Sequence, residues 1–253
     1  MVGKQRRLRR IFGADGRTLI VAMDHAAPMG PVKGLVDPAS VIRTVVGAGA
    51  DAILTTYGTA TRCVDAFDGR GLVLRLIDGQ ELGVEEAIRV GADAVMSMHF
   101  VGDGQASTER HSGRLSVECA AWGMPLATEV LAQVEDADAS ERAWLIAKGC
   151  RASMELGADL VKTVYTGDQD SFARVVAGTH LPIVVLGGQR MSTDEQVLVS
   201  VREALDAGAA GVAIGRNIWQ HERPERMVAA LGRLVHGDAS VSQALSELAS
   251  VSA

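Results

Sequence analysis

Gly157-Ala158-Asp159-Leu160-Val161-Lys162-Thr163-Val164 is the stretch from which the rest of the chain can be read. Its glycine can end a helix in a left-handed conformation, and the small residue after it lets the backbone turn inward. The short apolar run that follows suits a strand buried on both faces of a parallel sheet. The same cadence recurs as Gly47-Ala-Gly-Ala-Asp-Ala-Ile-Leu, Gly91-Ala-Asp-Ala-Val-Met and Gly208-Ala-Ala-Gly-Val-Ala, so the chain repeats a helix-to-strand unit. Further apolar runs lie at 18–23, 72–77, 126–131 and 183–186.

Taken in order, strands are expected near 18–23, 51–55, 72–77, 93–98, 126–131, 159–164, 183–186 and 211–214. Segments with apolar residues at helical spacing separate them, at 38–47, 83–90, 107–122, 140–156, 168–177, 193–207 and 224–235. Eight strands with intervening helices predict an α/β fold of the (β/α)₈ TIM-barrel type, and 253 residues match the roughly 250 typical of one such barrel. A doubly wound nucleotide-binding sheet would carry a glycine-rich fingerprint after its first strand. Here that strand runs into Asp24-His25-Ala26. No linker or composition shift divides the chain, so a single domain 1–253 is expected, with a basic N-terminal arm or helix at 1–16 and a C-terminal helix and tail at 238–253.

Hydrophobic residues at 47% supply a large core, whereas aromatics at 4% and a net charge of -6 argue against a nucleic-acid partner. The Lys4, Arg6, Arg7, Arg9, Arg10 cluster could serve as a nucleic-acid or membrane arm, but Leu8, Ile11 and Phe12 are spaced to dock a short helix on the body. Cys63, Cys119 and Cys150 are odd in number and show no CxxC pattern, which points to neither disulfides nor zinc. With no apolar run of signal-peptide or membrane-spanning length, a cytoplasmic protein with no membrane partner is expected.

In a barrel of this type the chemistry lies at the C-terminal ends of the strands. The polar residues there are Asp24 and His25 (first strand), Thr55, Thr56 and Tyr57 (second), Arg75 and Asp78 (third), Ser97 and His99 (fourth), Glu129 (fifth) and Lys162 (sixth). The chain has only four lysines, Lys4, Lys33, Lys148 and Lys162, and Lys162 lies inside an apolar strand. Strand alternation aims it into the barrel. A buried ammonium must be paired or give up its proton, so Lys162 is either a structural ion-pair partner or a nucleophile able to form a Schiff base with a carbonyl. Asp24 and Glu129 are candidate acid/base groups beside it; as structural readings, Asp24 caps a loop and Glu129 pairs with Arg75. Gly187-Gly188 and Gly215-Arg216 follow the seventh and eighth strands, where barrel enzymes commonly hold a phosphate, although glycines there can serve turn geometry alone. Lys33, in the loop after the first strand, clamps a second anion or is simply solvated.

Met23-Asp-His-Ala with Gly30-Pro-Val-Lys-Gly-Leu, Gly157-Ala-Asp-Leu-Val-Lys-Thr-Val-Tyr-Thr-Gly-Asp, Val185-Leu-Gly-Gly and Ala213-Ile-Gly-Arg-Asn-Ile-Trp-Gln resemble the class I aldolases of the DeoC/FbaB group. That group includes archaeal-type fructose-bisphosphate aldolase and aminodideoxyheptulosonate synthase. The resemblance runs from about residue 3 to about 235. It implies a barrel with Lys162 as the Schiff-base lysine, Asp24 as an acid/base residue, phosphate at the last two loops, a homo-oligomer from dimer to decamer, no metal and no cofactor. The chain departs from the archaeal-type pattern at the fifth strand, where those enzymes carry a tyrosine proton donor and this chain reads Pro125-Leu-Ala-Thr-Glu129. A glutamate at that offset is similar to tagatose-bisphosphate and sulfofructose-phosphate aldolases, in which it is the catalytic acid/base.

The expected activity is therefore aldol cleavage or formation of a C–C bond in a phosphorylated ketose, releasing dihydroxyacetone phosphate and an aldehyde. Lys162, Asp24 and Glu129 are the expected catalytic residues, with substrate binding by Arg75, Gly187, Gly188, Gly215, Arg216, His25 and Lys33. Arg75 would bind a second phosphate or a sulfonate, or only pair with Glu129. The alternatives are a related transaldolase or thiolase step on the same lysine, and a non-catalytic barrel that binds a sugar phosphate.

Overall fold

The computed structural model describes residues 2–77, 81–134 and 136–250; Asp78 and the last three residues of the expected C-terminal tail lie outside them. In chain order the elements are α1 (Val2–Ile11), β1 (Thr18–Ala22), α2 (Ala26–Met29), α3 (Pro38–Gly47), β2 (Ala52–Thr55), α4 (Tyr57–Arg62), β3 (Gly71–Arg75), α5 (Val84–Arg89) and β4 (Ala94–Gly102). They continue with α6 (Gln105–Trp122), β5 (Leu126–Gln133), α7 (Ala139–Glu155), β6 (Leu160–Thr163), α8 (Gln169–Thr179), β7 (Ile183–Leu186) and α9 (Asp194–Asp206). The chain closes with β8 (Gly211–Ile214), α10 (Arg216–Trp219), α11 (Pro224–Val235) and α12 (Val241–Ala249). The strands form a closed barrel in the order β1 to β8, every neighbouring pair parallel, with β8 pairing back to β1. This is the (β/α)₈ barrel the sequence predicts.

Alternation along the strands separates two cores. Residues pointing inward, among them Ile20, Ala22, Ala52, Leu54, Val73, Ala94, Met96, Ala127, Leu160, Val184 and Ala213, fill the barrel. Five of these are alanines, and none of these inward strand residues is aromatic. Residues pointing outward, such as Leu19, Val21, Ile53, Leu74, Val95, Val161, Val185 and Val212, meet the helices. The helices answer with apolar stripes: in α11, Met227, Val228, Leu231, Leu234 and Val235 are buried, the i, i+1, i+4, i+7, i+8 spacing of one helical face. Each such side chain contributes about 1.5–3 kcal/mol on burial.

The repeated cadence has a second use at the bottom of the barrel. Asp51, Asp93 and Asp159 each accept a hydrogen bond from the first free backbone N–H of the neighbouring strand, at Leu19 (2.7 Å), Leu72 (3.2 Å) and Leu126 (2.9 Å). The fourth unit has no aspartate. Its Gly211 lies so close to β1 that a Cβ there would fall 2.0 Å from the Thr18 carbonyl oxygen. The basic arm docks on these carboxylates as helix α1: Lys4 pairs with Asp159 at 2.7 Å and Arg10 with Asp93 at 3.0 Å, while Ile11 and Phe12 pack into the barrel's lower end. His236, beyond α11, bonds Asp51 at 2.9 Å and Asp15 at 2.8 Å.

Candidate active site

The inward register that fills the lower barrel with alanines delivers charged side chains to its upper end. Glu129 of β5 and Lys162 of β6 are register partners on adjacent parallel strands, and Met98 of β4 is paired with Glu129 in turn. Lys162 Nζ lies 2.8 Å from Glu129 Oε1. Arg75, at the end of β3, donates from Nη2 to Glu129 Oε2, from Nε to Asp24 Oδ2 at 2.7 Å, and from Nη1 to Met98 Sδ at 3.2 Å. The result is a continuous chain Asp24, Arg75, Glu129, Lys162, with two cations alternating with two anions. Lys162 is 3% exposed, Arg75 7% and Glu129 8%, so these charges are held by one another rather than by water.

Burial by itself pushes both carboxylates toward their neutral forms. At Glu129 the charges of Lys162 and Arg75 outweigh it and lower the pKa below the ordinary value; at Asp24 Arg75, then Lys162, does the same. Both are therefore ionised at neutral pH. His25 Nδ1 sits 3.4 Å from Asp24 Oδ1, and the ring stands edge-on to Trp219 with centroids 5.5 Å apart. Burial, reinforced by the nearby Lys162 and Arg216 cations, lowers the His25 pKa against the pull of Asp24, which leaves the imidazole neutral at pH 7.

Lys162, Glu129 and His25 open onto a cavity of about 310 Å³ whose far wall is Gly187, Gly188, Gly215 and Arg216. Two residues build that wall. Asn217 donates to the carbonyls of Gly187 (2.9 Å) and Gln189 (3.2 Å) and accepts from Met191 N–H (2.8 Å), which ties the loop after β7 to α10. Trp219 donates from Nε1 to the Ala22 carbonyl at 2.9 Å and fixes α10 against β1. Gly215 must be glycine, because a Cβ would meet the Ala22 oxygen at 2.6 Å and His25 Cε1 at 2.8 Å. Among the described residues the N–H groups of Gly188, Gly215 and Arg216 meet no protein acceptor, and Arg216 Nε is buried without a partner.

Not every expected residue arrives here. Arg75 and Asp24 lie behind the cavity wall, joined to each other, and Lys33 is exposed on its loop, away from the lining. Ser97 and His99 end up on the helical side of β4, since Met96 and Met98 take the inward positions: Ser97 Oγ meets Ser112 Oγ at 3.1 Å, and His99 Nδ1 meets Ser153 Oγ at 2.9 Å. Thr55, also fully buried, ends its strand on the outward phase, and Tyr57 begins α4. Gln189, Leu131 and Val164 line the cavity and were not singled out from the sequence. Leu131 could have been, as it shares its strand face with Glu129 two residues earlier.

The profile described as DeoC/LacD family aldolase matches residues 18–221, a span that contains all eight strands and the cavity. The 2-amino-3,7-dideoxy-D-threo-hept-6-ulosonate synthase of Halobacterium salinarum is 37% identical over 255 residues, covering 96% of this chain and 95% of that protein. The class 1 fructose-bisphosphate aldolase of Thermoproteus tenax is 31% identical over 260 residues, 93% of this chain and 96% of its own. Among solved structures, an archaeal fructose-1,6-bisphosphate aldolase with its catalytic lysine covalently bound to the carbinolamine intermediate of the substrate superimposes with a TM-score of 0.82. It is 28% identical and covers 92% of this chain and 99% of its own.

Proposed function

The chain belongs to the DeoC/LacD family of aldolases, and we propose that it makes or breaks a C–C bond of a phosphorylated ketose through an imine on Lys162, with dihydroxyacetone phosphate as the retained fragment. The carrying observation is the 2.8 Å contact of Lys162 Nζ with Glu129 at the floor of a cavity whose opposite wall is glycine backbone and Arg216.

Lys162 needs a free lone pair to attack, and Glu129 is placed to receive its proton. That transfer turns an ammonium and a carboxylate into two neutral groups without changing the net charge of the cluster, which suits a site shielded from water. The amine adds to the ketone carbon. Glu129 returns its proton to the carbinolamine oxygen, water leaves, and the iminium forms. Glu129, again a carboxylate, takes the proton of the C4 hydroxyl; the C3–C4 electrons flow into the iminium and the aldehyde departs. The enamine left behind is neutral, so Glu129 loses one of the two cations that favoured its ionised form and keeps the proton until it passes to C3. Hydrolysis of the regenerated iminium releases dihydroxyacetone phosphate and Lys162. Asp24 acts through Arg75, which holds Glu129 against the lysine. The phosphate, seated on the N–H groups of Gly188, Gly215 and Arg216, fixes the carbonyl over Nζ, so that remote binding energy supplies orientation.

Incubation with a ketose phosphate or dihydroxyacetone phosphate and borohydride, followed by mass measurement, is expected to add one reduced fragment, absent in Lys162→Ala. No adduct, or one that persists in that variant, would overturn the reading. The 37% identity to an aminodideoxyheptulosonate synthase favours a second reading, in which the lysine-bound fragment is passed to another carbonyl compound. Transfer of a labelled fragment to an added aldehyde, faster than its release, would favour it. The reading extends to a cytoplasmic homo-oligomer: the three buried free cysteines suit a reducing compartment, and Trp122 and Trp144, 53% and 61% exposed, suit subunit contacts. Light scattering on the purified chain tests the assembly.

A further inference from the structure

Basic residues occur on one side only of the barrel's upper face. The segments after β7, β8 and β1 carry Arg190, Arg216 at the start of α10, Arg223 and Lys33. Among the described residues, the loops after β2 to β6 carry Glu81, Asp103, Asp136, Asp138 and Asp168, and neither lysine nor arginine. Acidic residues are present on the first side too, at Asp24, Asp37, Asp194 and Glu222, but among these loops cations are confined to it. The arginine nearest in sequence to the end of one of these loops, Arg142 in α7, is exposed and turned back onto the Ala137 carbonyl.

The cavity has the same polarity. Arg216 and the glycine loops stand at its β7–β8 end, whereas beyond Lys162 its β5–β6 wall is Leu131 and Val164. Arg75, the one further cation beneath this wall, has its guanidinium committed to Asp24, Glu129 and Met98. An anion on the departing half of the substrate would thus face apolar side chains and a rim of carboxylates, an arrangement that disfavours like charge.

We propose that the substrate carries its anionic group only at the end held beside β7 and β8, and that the aldehyde formed on the far side of Lys162 bears neither phosphate nor sulfonate. The substrate class is a ketose monophosphate, split into dihydroxyacetone phosphate and an uncharged or cationic aldehyde. This rests on the imine reading above and narrows it. Leu131 is its specificity-determining residue, at the point where a second phosphate would need a cation.

The test starts with borohydride capture of dihydroxyacetone phosphate on Lys162 and then compares condensation of that donor with racemic glyceraldehyde and with racemic glyceraldehyde 3-phosphate. Glyceraldehyde is expected to give the larger kcat/KM by about tenfold or more at low salt, with the gap narrowing as salt screens the rim. Leu131→Arg is expected to raise the phosphorylated-to-neutral ratio by about tenfold, and Leu131→Gln to leave it unchanged. Capture of the donor together with equal or better use of glyceraldehyde 3-phosphate overturns this inference and leaves the imine standing. Absence of capture removes both.

Discussion

Arg75 is the residue on which the site's electrostatics turn. Of the two roles expected of it, binding a substrate anion or pairing with Glu129, its guanidinium takes the second and adds Asp24, and it favours the charged forms of both carboxylates. Arg75→Met would leave Asp24 and Glu129 buried without it and is expected to destabilise the fold by about 3–5 kcal/mol, measured by denaturant unfolding. With the cation gone, the two carboxylate pKa values rise. The acid limb of the pH–kcat profile is then expected to move to higher pH in Arg75→Met and less so in Arg75→Lys, which keeps the charge and loses the fork. In the parent enzyme the sign is fixed by the lowered carboxylate values. Their contribution to stability is complete above the unfolded pKa of about 4 and is lost as pH falls through the folded values.

Two elements carry consequences that their sequences only half announce. The basic run at the N-terminus has the composition of a polyanion-binding arm, but α1 spends Lys4 and Arg10 on Asp159 and Asp93 and closes the barrel floor with Ile11. Ile11→Ala is expected to cost about 2–5 kcal/mol in unfolding free energy, since the cavity opens where the strands cannot collapse inward. The short helix α10 hangs from Asn217 and Trp219, and Gly215 lets it approach His25. Gly215→Ala is expected to raise KM for a phosphorylated substrate by about tenfold or more while the borohydride adduct still forms at saturating substrate, because the wall moves and the lysine does not. The periodicities that announce the helices are legible in the sequence. The partners of their charged ends are not, because Asp93 and Asp159 are brought to α1 only by barrel closure.

Across the whole molecule, the floor and the mouth respond to pH for different reasons. At the floor, burial opposes the charge of His236, but Asp15 and Asp51 outweigh it and raise the pKa. A raised value gives stability that is complete below the unfolded pKa of about 6.5 and is lost as pH rises through the folded value. His236→Gln is therefore expected to flatten the decline in Tm above about pH 6.5, with no change in the pH–kcat profile. The Gly-Ala cadence, the eight apolar runs and the alternation that aims Lys162 inward follow from local sequence alone, because strand period and helix stops are properties of adjacent residues. Lys162 and the two carboxylates were legible as separate signals on separate strands. That Glu129 touches the lysine, that Arg75 is consumed between Asp24 and Glu129, and that Ser97 and His99 face the helices were decided by the tertiary structure. Register and closure set which side chains from distant segments share one face, and no spacing along the chain encodes that distance.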